Sequence, residues 1–217
     1  NLRDMIEERA RHPAVARPVS AIAGMVSAAR AGDEAGFVRH AAWQHGPNPS
    51  VVGLMAAFGE WLDGRWPDDP KKTDMVEYAH GSAVAAFTLG MWAPGTDDGG
   101  PVAAAMVRAA EPDAFGSMAA SFFARLVRMP LADMLARAVA AAAGLDHKNG
   151  VAHYIRGEKL QADLRTHCET TARAVVPFAE TWVRAGHWSD GERARRFVAY
   201  AVFKVCSELR DAGISAC

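Results

Sequence analysis

The chain has 217 residues, which suits one domain, and half of them are hydrophobic while 23% are charged, as in ordinary globular proteins. Its 24 basic and 25 acidic residues leave a formal net charge of −1, so no strong positive field exists to attract nucleic acid or an anionic membrane. Three cysteines without zinc-like or redox-like spacing, a charged N-terminal segment and no stretch suited to span a membrane predict a protein of the reducing cytoplasm.

Apolar residues recur at helical spacing along almost the whole chain, and the alternation typical of strands is nearly absent. In chain order, this spacing predicts helices at residues 2–12, 19–31, 33–45, 50–64, 72–92, 101–110, 113–128, 131–143, 151–184 and 190–212. The loops are predicted from Pro13 and Pro18, from residues 46–49 and from residues 94–101, while Pro130 suits a first helical position. We therefore expect an all-α fold, one compact bundle of about seven to ten helices in a single domain, residues 1–217, with loop 94–101 as its main internal break.

Two local features refine these helix limits. Pro177 lies inside a long helical pattern and should kink or split that helix near residues 173–177, because proline lacks the N–H that the helix needs. Ser189 and Glu192 match the S-x-x-E capping box, in which each side chain accepts from a free backbone N–H.

A first ligand-like motif, E-x-x-H, is formed by Glu77 and His80 within the predicted helix 72–92. Residues three apart share a helix face, so the carboxylate and the imidazole can converge on one metal ion. The same face continues through Val84, Phe87 and Met91, which predicts that both polar side chains point inward. A buried carboxylate needs a metal, an arginine or a proton as its partner.

A second motif, D-x-x-x-H, is formed by Asp163 and His167 in the next long helix. Residues four apart also share a face, so this pair can converge on one point as well. Carboxylate and imidazole ligands together suit iron or manganese better than a closed structural zinc site.

In order and type, the two motifs resemble those of heme-oxygenase-like di-iron oxidases, which are seven-helix bundles of roughly this size. The resemblance covers residues 33–212 in outline and implies a cofactor of two irons, or manganese, that activates dioxygen to oxidise a small organic metabolite, as in specialised metabolism. It implies Glu77, His80, Asp163 and His167 as ligands and two more carboxylates from other helices. The best-placed are Glu60, with Glu34 as the alternative, and Asp133, with Glu111 as the alternative. Phe87, Met91 and Trp92 would line the substrate space.

Other hypotheses stay open beside the oxidase. Glu77–His80 and Asp163–His167 can be local contacts without a metal. The chain can be a small-molecule-binding helical protein, or a subunit that completes a two-component biosynthetic enzyme, and the alanines at 138 and 140–143 would let a partner helix approach closely. We expect a small-molecule substrate and either a homodimer or a heteromeric partner subunit. A DNA-binding regulator is disfavoured, because no basic helix-turn-helix opens the chain.

Overall fold

Small and apolar residues at helical spacing place nearly every segment of this chain in an α-helix. A computed structural model describes residues 2–44, 49–64, 74–145 and 149–212. Within these ranges it has ten α-helices: Leu2–Ala10 (α1), Pro13–Arg30 (α2), Glu34–His40 (α3), Val51–Gly64 (α4), Asp74–Met91 (α5), Val102–Ala110 (α6), Ala114–Leu145 (α7), Gly150–Ala172 (α8), Val176–Arg184 (α9) and Gly191–Asp211 (α10). The described residues form no β-strand, only an isolated bridge between Ser50 and Pro101. The predicted all-α fold is therefore confirmed.

One continuous core joins the helices. Its central element is α2, in which 13 of 18 residues are buried, most of them alanine or valine. This helix packs against α3, α5, α6 and α10. No helix in the described part of the chain is long and apolar enough to cross a membrane.

Prolines mark the helix limits less strictly than the sequence predicts. Pro13 does begin α2, but Pro18 lies inside that helix and Pro130 lies inside the 32-residue α7, so both expected breaks are wrong. Pro130 is buried, and α7 packs along both α5 and α8. These tertiary contacts stabilise a continuous helix despite the missing backbone donor.

The prediction at Pro177 is confirmed. The 3-10 turn Arg173–Val175 separates α8 from α9, and Pro177 occupies the first turn of α9, where its missing N–H costs no hydrogen bond. The expected capping box is displaced by one residue. Asp190, not Ser189, caps α10 by accepting from the backbone N–H groups of Glu192 and Arg193 at 2.8 and 3.1 Å, which lowers the pKa of Asp190. Residues 45, 72 and 73 of the predicted helices lie outside the described ranges.

Loop 94–101 is packed onto the bundle. The Ala93 N–H donates to the Gly99 carbonyl, and the Val52 N–H donates to the Asp98 carbonyl, so the loop joins the end of α5 to the start of α4. Gly99 is buried with a φ of 80°, a left-handed conformation that glycine adopts without strain.

Replacing Gly99 with alanine should destabilise the fold by about 2–3 kcal/mol, because strain and overpacking add together. A Cβ at this position would lie 2.7 Å from Val51 Cγ1 and 2.9 Å from Trp92. Urea unfolding followed by circular dichroism measures the change. Gly95→Ala is the matched control, because Gly95 has a similar φ of 77° and a Cβ added there would have no neighbouring atom within 4 Å. Equal losses in the two variants would show that packing around Gly99 does not matter.

Helices α7 and α8 form a long antiparallel hairpin, and glycines fix its register. Gly157 packs against Val139, Gly150 lies near the Ala143 carbonyl, and Gly116 packs against Val176 just beyond the end of α8. Because these contacts align residue 139 with 157 and residue 116 with 176, they place Arg128 level with Arg165.

Candidate anion-binding site

The E-x-x-H motif on α5 is only half buried. His80 is 7% exposed, as the sequence predicts, whereas Glu77 is exposed. His80 Nδ1 lies 3.3 Å from Oδ1 of Asp63 on α4, a residue that the motif did not identify. The two side chains border a cavity of about 430 Å³ between α4 and α5, where Gly59 and Gly81 leave open space.

The D-x-x-x-H motif on α8 faces solvent. Asp163 and His167 are both exposed, because the buried face of α8 is formed by Leu164, Cys168 and Ala172. Glu60, the expected ligand on α4, is exposed as well. No group of three or more His, Cys, Asp or Glu side chains in the described ranges could hold a metal ion. The two motifs were expected to meet at one interior point. The structure contradicts this expectation, because Asp163 and His167 face solvent on α8 while His80 is buried on α5.

The remaining predicted site residues have structural contacts. Asp133 on α7 accepts a short hydrogen bond from the Tyr78 hydroxyl, and this bond is the main cause that raises the pKa of Tyr78 to about 12. Phe87 and Met91 are fully buried in the core, where Phe87 stacks on Phe58 at 5.5 Å between ring centroids. Trp92 is partly buried, and its indole N–H donates to the Thr96 carbonyl at 3.1 Å.

A different cavity, of about 630 Å³, lies between α5, α7 and α8. Its wall on α7 consists of small side chains at helical spacing, namely Ser117, Ala120, Ser121 and Ala124. Small residues on one face leave room beside the helix, and here Leu89 of α5 and Val176 of α9 border that room, which stays open to solvent. The cavity therefore has apolar walls and two hydroxyl groups, the composition of many small-molecule sites.

Four arginines line the same cavity: Arg125 and Arg128 on α7, Arg165 on α8 and Arg173 in the 3-10 turn. Glu169 is the acidic residue among the lining side chains, so the formal charge of the lining is +3 in a chain of net charge −1. None of these five side chains forms an ion pair or a hydrogen bond with another residue in the described part of the protein.

Several other arginines of the described residues have carboxylate partners, although some exposed ones, such as Arg39 and Arg156, have none. Arg30 donates to Glu180 at 2.9 Å, and Arg195 and Arg196 both pair with Glu192. The cavity arginines differ from these, since their guanidinium donors remain available. A guanidinium binds carboxylates and phosphates through paired N–H donors.

The hairpin register places the positive charges along the cavity. Arg128 and Arg165 are level with each other on the two helices, while Glu169 is level with Arg125, about one helical turn away. Two guanidinium groups facing the same space repel each other unless an anion lies between them. The cavity end at Arg128 and Arg165 is therefore the best-placed subsite for an anionic head group.

The sequence analysis did not identify this cavity, although the sequence contains part of the pattern that indicates it. Arg125 and Arg128 follow directly on the stripe of small residues at 117, 120, 121 and 124 on one predicted helix. Because residues three or four apart share a helix face, both arginines lie on the face of these small residues. The contribution of Arg165 and Arg173 depends on the register of the hairpin, which the sequence pattern does not fix.

Comparisons with the models of known protein families, with curated proteins and with solved structures gave no match. The resemblance to heme-oxygenase-like oxidases thus stays a prediction that rests on sequence motifs.

Proposed function

We propose that this protein binds a small organic anion in the cavity between α5, α7 and α8. The observation that carries the proposal is the set of four cavity arginines, Arg125, Arg128, Arg165 and Arg173, which have no carboxylate partner among the described residues. An anionic ligand would neutralise the excess positive charge and satisfy guanidinium donors that the protein itself leaves available.

The ligand also has an apolar part, because the walls beyond the arginines are apolar. Leu89, Val176, Ala120 and Ala124 offer carbon surface, and the volume of about 630 Å³ suits a molecule of ordinary metabolite size. A carboxylate or phosphate head with an aromatic or aliphatic body fits this combination. Ser117 and Ser121 can donate or accept hydrogen bonds to polar atoms on that body.

This proposal develops the small-molecule-binding alternative to the oxidase. A metal oxidase requires ligands that meet at one point, and Asp163 and His167 lie on an exposed face of α8. The arginine cavity requires no movement of buried side chains, because its lining is already open to a ligand.

A panel of matched probes tests the proposal by thermal unfolding at constant ionic strength. Phenyl phosphate and benzoate should raise the unfolding temperature with a saturable dose response, and inorganic phosphate should do so more weakly because it lacks the apolar part. At one hundred times its dissociation constant, a ligand stabilises the folded state by about 2.7 kcal/mol. For a chain of this size, that corresponds to a shift of roughly 5–10 °C.

Neutral benzyl alcohol and cationic benzylamine have the same ring and should give no comparable shift. The proposal fails if the anions stabilise the protein no more than these two controls. Fe(II) and Mn(II), added without oxygen, form a separate arm of the experiment. Saturable stabilisation by either ion, lost in both His80→Ala and His167→Ala, would favour the oxidase instead.

A further inference from the structure

Three charges of alternating sign on α8 line the arginine cavity. They are Arg165, Glu169 and Arg173, which follow one another at intervals of four residues. Arg173 is the C-cap of α8 and keeps a helical backbone, with φ −60° and ψ −24°, so the helix face continues to it. Residues four apart share a face, and the three side chains therefore form a row along the cavity wall, which we call the α8 row.

The charges of the α8 row do not neutralise one another. Within the described part of the chain, Glu169 forms an ion pair with neither Arg165 nor Arg173. The same spacing does give an ion pair on α10, where Arg196 Nε lies 3.1 Å from a carboxylate oxygen of Glu192. The three charges of the α8 row thus stay available to a ligand.

The two arginines of the α8 row lie toward opposite ends of the cavity. Arg165 is level with Arg128 of α7, at the end that best suits an anionic head group. Arg173 lies eight residues further along the chain, which corresponds to about 12 Å at the rise of an α-helix. The hairpin register brings Ala120 and Ser121 of α7 to about this level, and their small side chains leave room beside the second guanidinium.

Glu169 lies midway between these two positive ends, level with Arg125 of α7. The opposite charges of Glu169 and Arg125 make the middle of the cavity neutral overall, whereas each end keeps an excess positive charge. An anionic group is therefore attracted to either end more strongly than to the middle. This pattern is complementary to a molecule with an anionic group at each end and a neutral chain between them.

We propose that the ligand of this cavity is a two-headed anion, with one head bound by Arg128 and Arg165 and the second bound by Arg173. This inference rests on the proposed function, since it names the class of small anion that the cavity takes. Leu89 and Val176 offer carbon surface to the chain between the heads. Linear dicarboxylates and other metabolites with two terminal acid groups have this chemistry.

Isothermal titration calorimetry of the full chain at constant ionic strength tests this class of ligand. In the series succinate, adipate, suberate and sebacate, which increase in length, the affinity should be greatest for suberate or sebacate, because shorter chains do not reach both ends. Monomethyl suberate is the matched control ligand, since it keeps the length of suberate but has one charge. Suberate should bind about tenfold more tightly than this ester, because it gains charge-assisted hydrogen bonds from a second guanidinium.

Arg173→Ala should remove the preference for the second charge. Suberate and its monomethyl ester should then bind equally, while the affinity for the ester should stay within about twofold of the wild-type value. Arg156→Ala removes an exposed arginine of α8 that does not line the cavity, and it should keep the wild-type preference. Glu169→Gln leaves the positive charge of Arg125 in the middle unopposed, so it should strengthen succinate binding more than suberate binding.

The outcomes separate this inference from the proposed function. Equal affinities of the wild-type protein for suberate and its monomethyl ester would overturn the two-headed ligand but leave anion binding in place. A wild-type protein that binds neither compound would overturn both proposals. A preference for suberate that survives Arg173→Ala would contradict the position of the second head. The unfolding temperatures of the ligand-free variants should match the wild type, because Arg156, Glu169 and Arg173 are exposed.

Discussion

Replacing Arg128 or Arg165 with alanine should weaken phenyl phosphate binding about tenfold to a hundredfold. Arg128 and Arg165 are level with each other on the two helices and line the same cavity, so each can give a charge-assisted hydrogen bond to one anionic head. Hydrogen bonds to charged groups contribute about 1.5–3 kcal/mol, which corresponds to this range of affinity. Isothermal titration calorimetry of each variant at fixed salt measures the change.

The controls separate the site from general electrostatics. Arg156 is an exposed arginine on α8, the helix of Arg165, and it does not line this cavity. Arg156→Ala should therefore leave the affinity almost unchanged. Arg128→Lys keeps the charge but loses the planar fork, and should fall between alanine and wild type. If Arg156→Ala weakens binding as much as Arg128→Ala, the anion is held by the overall field and not by this cavity.

Glu180→Ala should destabilise the fold by about 3–5 kcal/mol, the largest stability effect that we expect for a single substitution. Glu180 on α9 is 4% exposed and accepts hydrogen bonds from Arg30 of α2 at 2.9 Å and from the Gly116 N–H at 2.7 Å. Arg30 also donates to the carbonyls of Glu111 and Pro112, so its ion pair with Glu180 joins α2, α9 and the start of α7. Arg184 of α9, 3.8 Å from Glu180 and largely exposed, is a second and weaker ion-pair partner.

Removing the carboxylate leaves the partly buried Arg30 guanidinium with its two carbonyl acceptors but without its opposite charge, and it leaves the Gly116 N–H without an acceptor, which explains the size of the loss. The negative charge also stabilises the first turn of α7 through the helix dipole. Urea unfolding should show a lower midpoint with an unchanged slope.

Two variants check the interpretation of this loss. Glu180→Gln keeps an acceptor for Gly116 and should lose less stability than alanine. Glu192→Ala removes an exposed carboxylate that also pairs with two arginines, and it should have little effect because solvent screens that cluster. Equal unfolding midpoints for the Glu180 and Glu192 alanine variants would contradict a structural role for the buried pair.

Helical periodicity predicted most of this fold, since apolar spacing alone indicates each helix. The errors fall where tertiary packing outweighs a local signal. Pro18 and Pro130 indicate breaks in isolation, yet both lie within helices that pack against several neighbours. The cap of α10 was misplaced by one residue, because Ser189 and Asp190 are both good capping residues and only the turn geometry distinguishes them.

The candidate site was less predictable than the fold. His80 was correctly predicted to face inward, but Glu77 lies about 60° around the helix from it, which is enough to leave its carboxylate in solvent. Whether an acid on α5 meets one on α8 depends on how the helices are arranged, and the sequence motifs contain no information about that. The same limit hid the arginine cavity, whose four charges meet only through the α7–α8 register.

The many alanines of α2 determine which parts of the protein can adjust when a ligand enters. A helix with such short side chains lets its neighbours approach closely, so the centre of the bundle is dense and offers little free volume for rearrangement. Any adjustment of the protein around a bound ligand must therefore occur at the periphery. Helix α8 borders the arginine cavity and buries only four of its 23 residues, so its outer side chains can adjust to a ligand without disturbing the core.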